Sequence, residues 1–169
     1  MIYSHFDEPV TKLHTEQKYP LGTRRIDTAG NEFRYVQFGV SATAYAQYHA
    51  VVMTTTWGVV TNDYDAALAL NADMHFAGIV MTDETITYLT STGFGWIQTH
   101  GTGYAISDSD FANLDTGEPW AAGIGNEDGQ VAVAVDATTI TYTKIGGIAL
   151  ANATADATAF ATSINSLIW

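Results

Sequence analysis

The sequence contains no cysteine, which excludes a disulfide framework, a thiolate zinc site and a cysteine nucleophile. Charged residues are also scarce, at 14% of the 169 residues, where about 25% is typical of soluble domains. No apolar run reaches the roughly 18 residues of a membrane-spanning helix. The first residues have neither the basic segment nor the apolar run of a secretory signal. We therefore expect a soluble protein that is made in a cytoplasm.

Positive charge is the scarcest feature, because six Lys and Arg face 18 Asp and Glu for a formal net charge of −12. A phosphate backbone is bound chiefly through Lys and Arg, so we expect no nucleic-acid partner. Residues 1–34 hold five cations and five acids, whereas the rest of the chain holds one cation and 13 acids. The two parts of the chain are therefore expected to face different surroundings.

The chain is rich in the residue types that strands and tight turns need, with nine Tyr, seven Phe, four Trp and 15 Gly. Residues 32–40 alternate with a period of two, which places Phe33 and Tyr35 on one face and Val36 and Phe38 on the other. Both faces of this predicted strand are thus partly apolar. The sequence predicts one mainly β domain, an antiparallel β-sandwich or barrel with an extended N-terminal arm and little helix.

Further strands are predicted by short apolar or alternating runs bounded by turn residues. The segment around Gly101 and Gly103 is predicted to be a turn, and the Ala-rich segment 41–50 could form a short helix. The last apolar residues are predicted to pair as a final strand or to lie in an interface. The other predicted strands are residues 50–60, 75–81, 85–90, 94–100, 130–136 and 138–144.

Residues 1–22 have neither a strand period nor a helix period, and they contain two prolines. We interpret them as an extended arm, and residues 23–169 as the β-rich domain. The arm is either disordered or laid on a neighbouring surface. We predict that it leaves its own domain and contacts a partner through its aromatic rings and through the few cations of the chain, which can pair with carboxylates. The predicted contact residues are Tyr3, Phe6, Lys12, Lys18, Arg24 and Arg25.

Candidate catalytic and metal-binding patterns are weak. The five histidines show no spacing of three or four residues and no HExxH motif. Two Asp pairs, at 63/65 and 108/110, could begin calcium sites, but turn chemistry explains them better because neither is followed by the Gly and Glu of an EF-hand loop. We predict no metal, no cofactor and no enzymatic activity. A glycosidase built on two of the 18 acids stays open as an alternative.

The four tryptophans offer two readings. Together with the tyrosines they could form a sugar-binding platform, as aromatic side chains do in carbohydrate-binding modules. Packing in the core or in a subunit interface explains them more economically. We favour packing for this set, which consists of Trp57, Trp96, Trp120 and Trp169.

Several segments, taken in order, resemble small virion structural proteins of tailed phages that are described as capsid decoration, cement or head-stabilisation proteins. The resemblance covers residues 21–169 loosely, and the arm and segment 41–50 have no counterpart in it. The segments are Leu21-Gly22-Thr23, Phe33-Arg34-Tyr35-Val36, Gly78-Ile79-Val80, Gly93-Phe94-Gly95-Trp96-Ile97-Gln98-Thr99-His100-Gly101 and Ile145-Gly146-Gly147-Ile148-Ala149.

The resemblance implies a β-rich fold, a homotrimer seated on the major capsid protein, and no catalytic residue. It places the protein on the outer surface of the capsid, after synthesis in the host bacterial cytoplasm. The alternative within the same context is a tail-associated, receptor-binding or carbohydrate-binding virion protein. No nucleic acid and no membrane is expected as a partner.

Overall fold

A computed structural model of the chain describes residues 8–39, 41, 44–54, 56–64, 75–84, 93–107, 115–117, 119–121, 129–133, 146–151 and 159–166. The protein is mainly β, as predicted. Within these residues the strands are β1 (Arg24–Ile26), β2 (Glu32–Phe38), β3 (Ala50–Met53), β4 (Val59–Thr61), β5 (Phe76–Val80), β6 (Gly93–Ile106), β7 (Pro119–Ala121), β8 (Ala132–Val133), β9 (Gly147–Ile148) and β10 (Ala159–Asn165).

Five strands close into a barrel in the order β2-β4-β3-β5-β6, because β6 also pairs with β2. Four of the five pairings are antiparallel, and β2–β4 is parallel. The barrel is therefore mixed rather than wholly antiparallel. A closed ring with an odd number of strands cannot alternate direction throughout, so one neighbouring pair has to run parallel. β1 extends the sheet beside β2, and β10 extends it beside β6.

The barrel interior is filled by buried aliphatic and aromatic side chains that every barrel strand contributes. Such a packed interior is expected of a small barrel, since five strands leave no room for a channel. Alternation along β2 directs Val36 and Phe38 inward and the preceding Tyr35 outward. The interior residues are Val36, Phe38, Tyr45, Val51, Val60, Ala77, Val80 and Ile97.

Two further apolar clusters lie on the outside of the barrel. One contains Phe33, Tyr35 and Trp96, and residues of the N-terminal segment pack against it. The other lies under a small sheet with strand order β8-β7-β9 and is centred on the fully buried Trp120. Three separate clusters in one small domain account for much of the apolar content of the chain.

Two predicted boundaries are wrong. Residues 50–60 form the strands β3 and β4, because Gly58 adopts a left-handed φ of 75° and turns the chain between them. Residues 101–103 are not a turn but continue β6, a strand of 14 residues whose second half, from His100 to Ile106, extends beyond the barrel and pairs with β10. Gly101, at φ 106°, permits a bend in that strand without ending it.

Several predictions fall outside the described residues, namely the strands at 85–90 and 138–144, Asp65 of the Asp63/Asp65 pair, the Asp108/Asp110 pair and Trp169. In segment 41–50 the described residues form a turn and an isolated bridge at Tyr45. No helix in the described part of the chain has the length and apolar character needed to cross a membrane.

Candidate functional site

Residues 8–22, which we call the strap, lie across the outer face of β2 and β6. His14 and Phe94 exchange two backbone hydrogen bonds of 2.8 Å. Val10, Tyr19 and Leu21 pack over the outer aromatic cluster. We predicted an extended arm that leaves its own domain, whereas the described residues 8–22 lie on their own domain and contain turns at residues 10–11 and 21–22. The apolar outer face of β2 and β6 would otherwise be exposed to water.

A polar network around the Glu8 carboxylate fastens the strap. The Nζ of Lys18 donates to Oε2 of Glu8 at 2.6 Å, and the hydroxyl of Tyr19 donates to Oε1 at 3.0 Å. The Nε2 of His14 lies 2.9 Å from Oε1 of Glu8, without the alignment of a hydrogen bond. The guanidinium of Arg25 donates to the Glu8 carbonyl at 2.6 Å. Glu8 thus joins the strap to β1.

Tyr35 connects this network to the barrel. Its oxygen accepts from the backbone N–H of Lys18 at 3.2 Å and lies 2.8 Å from Nδ1 of His14. Because the Tyr35 oxygen already accepts a hydrogen bond from the backbone N–H of Lys18, its own O–H can donate to Nδ1. The tautomer consistent with this arrangement carries its proton on Nε2, facing Glu8. The histidine ring is therefore held from both sides.

The titration of this network follows from its burial and pairing. Burial alone would raise the pKa of Glu8, but the hydrogen bonds from Lys18 and Tyr19 and the nearby His14 hold it below its ordinary value. The hydrogen bond to Glu8 raises the pKa of Lys18. Burial raises the pKa of Tyr35, so its hydroxyl stays protonated near neutral pH. The network thus contains an ionised carboxylate and a neutral phenol.

A chain of carboxylate, histidine and hydroxyl can serve as a proton relay in an enzyme. Here Tyr35 is 0% exposed and His14 is 9% exposed, so no substrate atom can reach the hydroxyl. The geometry serves attachment of the strap to β2 and not catalysis at Tyr35. Within the described residues, no group of three or more His, Asp or Glu side chains is arranged to hold a metal ion.

A groove of about 550 Å³ is lined by residues 12–18 of the strap and by Glu84. Its rim carries Lys12 and Glu84, whose side chains are half exposed and lie 3.4 Å apart. The side chain of Lys18 is also half exposed. The remaining lining residues are Leu13, His14, Thr15, Glu16 and Gln17. The groove therefore presents two lysines and two carboxylates to solvent.

The predicted contact residues fall into two groups. Tyr3 and Phe6 lie outside the described residues. The four cations all lie on the strap side of the barrel, and each has a partner within the chain. Lys12 pairs with Glu84, Lys18 with Glu8, Arg24 with the carboxylate of Glu32, and Arg25 with the Glu8 carbonyl. The structure brings these cations together, but each is paired within its own chain, three with carboxylates and Arg25 with a backbone carbonyl.

Sequence reasoning missed the role of Glu8, His14 and Tyr35. The local spacing of the histidines gives no sign of this role, because the partner of His14 is 21 residues away on β2. One signal was available: Tyr35 was predicted on an apolar face of β2, and a buried tyrosine hydroxyl needs a partner. That reasoning would have predicted a polar residue over β2 without naming it.

His49 is a second polar position that the sequence did not single out. Its ring packs against Gly129, where a Cβ would overlap it, and its Nδ1 lies 3.4 Å from Nδ2 of the fully buried Asn62. Burial lowers the pKa of His49 to about 4. The ring is therefore neutral at physiological pH and packs as part of the fold.

The described tryptophans differ in exposure, so they bear differently on the two interpretations, packing and a sugar-binding platform. Trp96 and Trp120 are fully buried, which confirms packing for these two. Trp57 is 60% exposed, in the turn between β3 and β4. One exposed tryptophan does not make a platform by itself.

The fold and site define a small closed β-barrel with a fastened N-terminal strap. No protein-family model, curated protein or solved structure matches this chain.

Proposed function

We propose that this chain is a virion structural protein, a capsid decoration protein that binds the outer surface of a phage head and stabilises it. In this proposal it acts as a homotrimer on the major capsid protein and carries no catalytic residue. The support from the sequence is the ordered set of segments that resembles tailed-phage decoration proteins. The mainly β fold agrees with that resemblance.

The observation that carries the proposal is the position of the cations. Five of the six Lys and Arg residues of the chain lie between residues 12 and 34, and the fold gathers them on the strap, β1 and β2. Residues 1–34, which supply this side, have a formal net charge of zero, whereas the rest of the chain carries the net negative charge. An acidic protein meets the least repulsion when it approaches another protein through such a side.

The strap side also offers suitable contact chemistry. Lys12 and Lys18 extend half-exposed side chains beside the groove, so their ammonium groups can meet carboxylates of a capsid subunit. The strap is already ordered by its contacts with the barrel, so attachment through it does not require the entropic cost of ordering residues 8–22. We therefore place the capsid contact on the outer surface of the strap.

Charge reversal at Lys12 tests this proposal. Lys12 has a single exposed ion pair, so Lys12→Glu should cost little stability. Lys144→Glu is the matched control, because it makes the same charge change in the acidic part of the sequence. We expect Lys12→Glu to weaken co-sedimentation with capsids of the phage that encodes the chain by about tenfold. Lys144→Glu should have a much smaller effect.

Two results would count against the proposal. If the unaltered protein does not co-sediment with capsids, the decoration function is refuted. If both variants lose affinity equally, net charge and not the strap governs binding. Thermal unfolding of each variant should be compared with that of the unaltered protein, so that lost binding is not confused with lost folding.

Trp57 favours a second candidate, a tail-associated or carbohydrate-binding virion protein. A half-exposed indole on a turn can stack on a sugar ring. Selective binding on a glycan array that Trp57→Ala abolishes would support this candidate. Absence of binding, with capsid co-sedimentation intact, would remove it.

A further inference from the structure

The outward face of β6, β10 and β9 forms a surface without formal charge, which we call the neutral face. Leu150, Tyr104 and Ile148 on this face are 46–50% exposed, although each is large and apolar. Apart from Ile106, which is half-buried, the other outward residues are polar or small. The neutral face consists of His100, Thr102, Tyr104, Ile106, Ile148, Leu150, Ala159, Ala161, Ser163 and Asn165.

Strand register brings these residues together. Tyr104 is directly opposite Ala161, and the N–H of Leu150 donates to the Ala161 carbonyl at 2.8 Å. These three residues form one row across the strands. Thr102, Ser163 and Ile148 form the next row, because Thr102 is opposite Ser163 and the Ile148 N–H donates to Oγ of Ser163 at 3.0 Å.

Burial confirms which way these rows point. Phe160, Thr162 and Ile164 alternate with them along β10 and are 0–3% exposed, so they face the core. Ala149 is also fully buried and is bridged to Thr162. The side chains between these positions must therefore face outward.

The shape of the neutral face suits packing against another surface. Ala161 and Ser163 form a shallow trough along β10. The larger side chain of Tyr104 lies on one side of this trough, and those of Ile148 and Leu150 lie on the other side. The ring of Tyr104 is held against the ring of Tyr48 at a centroid distance of 5.3 Å. A large aromatic residue that is already positioned loses little entropy on binding.

We propose that the neutral face is the contact between copies of this chain. The neutral face carries no Asp, Glu, Lys or Arg among the residues that the structure describes, in a chain with a formal charge of −12. Two copies repel each other through their acidic surfaces, and this uncharged face adds no repulsion of its own. A basic partner would instead be attracted to the acidic surfaces, so charge favours a second copy at this face.

The size of the neutral face agrees with the core of an interface. Ten residues, each covering about 4.8 Å across the strands and about 6.8 Å along them, give an area of roughly 330 Å². Stable interfaces bury about 800 Å² per partner, with an uncharged core and a polar rim. The neutral face would supply the core, and surrounding residues would supply the rim. This inference rests on the self-association in the proposed function and not on capsid binding.

Mass measurement by sedimentation equilibrium tests the inference. We expect the unaltered protein to form a dimer or trimer at tens of micromolar, and Leu150→Glu and Tyr104→Glu to shift it to the 18.2 kDa monomer with at least a 30-fold weaker association. Ile26→Glu is the matched control, because Ile26 is 47% exposed but lies on β1. It should leave the mass unchanged.

A cysteine probe gives a second measurement that does not depend on a disruptive charge. Because the chain has no cysteine, Ala161→Cys and Ile26→Cys each introduce a single thiol. The reaction rate of Cys at position 161 with a maleimide should fall as protein concentration rises, and the rate at position 26 should not. A constant rate at 161 in an oligomeric protein would overturn the choice of face. A monomeric unaltered protein would overturn self-association itself, while leaving capsid binding to its own assay.

Discussion

Removing the hydroxyl of Tyr35 should loosen the strap and lower the stability of the whole domain. In Tyr35→Phe the ring remains in the outer aromatic cluster, so packing is preserved. Nδ1 of His14 loses its partner at 2.8 Å, and the backbone N–H of Lys18 loses its acceptor at 3.2 Å. A buried polar group left without a partner costs about 1–3 kcal/mol.

His14 is nearly buried, whereas Lys18 is exposed to water that can replace the lost acceptor. We therefore expect a total loss of about 2–4 kcal/mol, mostly from His14. Domains of this length lose roughly 2–4 °C in melting temperature for each kcal/mol. Urea denaturation should show a lower midpoint with an unchanged slope, because the surface exposed on unfolding stays the same.

Tyr45→Phe is the matched control for this prediction. Tyr45 is also fully buried, and its hydroxyl donates to the Gly39 carbonyl at 2.8 Å, inside the barrel and away from the strap. Its loss should cost about 1 kcal/mol. Amide exchange at His14 should accelerate in Tyr35→Phe and not in Tyr45→Phe. If Tyr35→Phe costs less than Tyr45→Phe and the exchange of His14 is unchanged, the network does not fasten the strap.

Two other predictions concern stability. Below pH 6.5 the unfolded chain protonates His49, but the folded chain does not until about pH 4, so the free energy of unfolding should fall as the pH is lowered through this window. Denaturation of His49→Gln at pH 7 and 4.5 should show a smaller fall; an equal fall would refute this role. Gly147→Ala should cost about 3 kcal/mol in urea denaturation, because its Cβ would overlap the backbone of Ser163. Gly117→Ala, which has no neighbour within 4 Å but a φ of 94°, should cost only about 1–2 kcal/mol, and equal costs would contradict the packing argument.

The placement of the strap on the barrel could partly have been predicted from the sequence. The alternation in β2 already placed apolar side chains on both faces, and a strand with two apolar faces has to be covered on both sides. The sparse apolar residues of the arm, such as Val10 and Tyr19, were the nearest cover in the chain. The arm was instead predicted to leave the domain, because an aperiodic segment carries no local signal of the surface on which it lies.

The cations on the strap illustrate a different limit. Their concentration in residues 1–34 was visible in the sequence, and the fold does gather them on one side. Their internal partners were not visible, because Lys12 and Glu84 are 72 residues apart. Ion pairs over such distances depend on which loops the barrel brings together.

By itself, the sequence determined the chemical class of this protein: a β-rich domain without disulfides, with an acidic body and a balanced N-terminal part. These properties follow from composition and from the two-residue period, which are local. Only the tertiary structure decided the closure of five strands with one parallel pair, the attachment of the strap through Glu8 and His14, and the neutral face. Each of these depends on strand order and register between residues far apart in the chain, and a shift of one residue in register would turn Tyr104 and Leu150 from solvent toward the core.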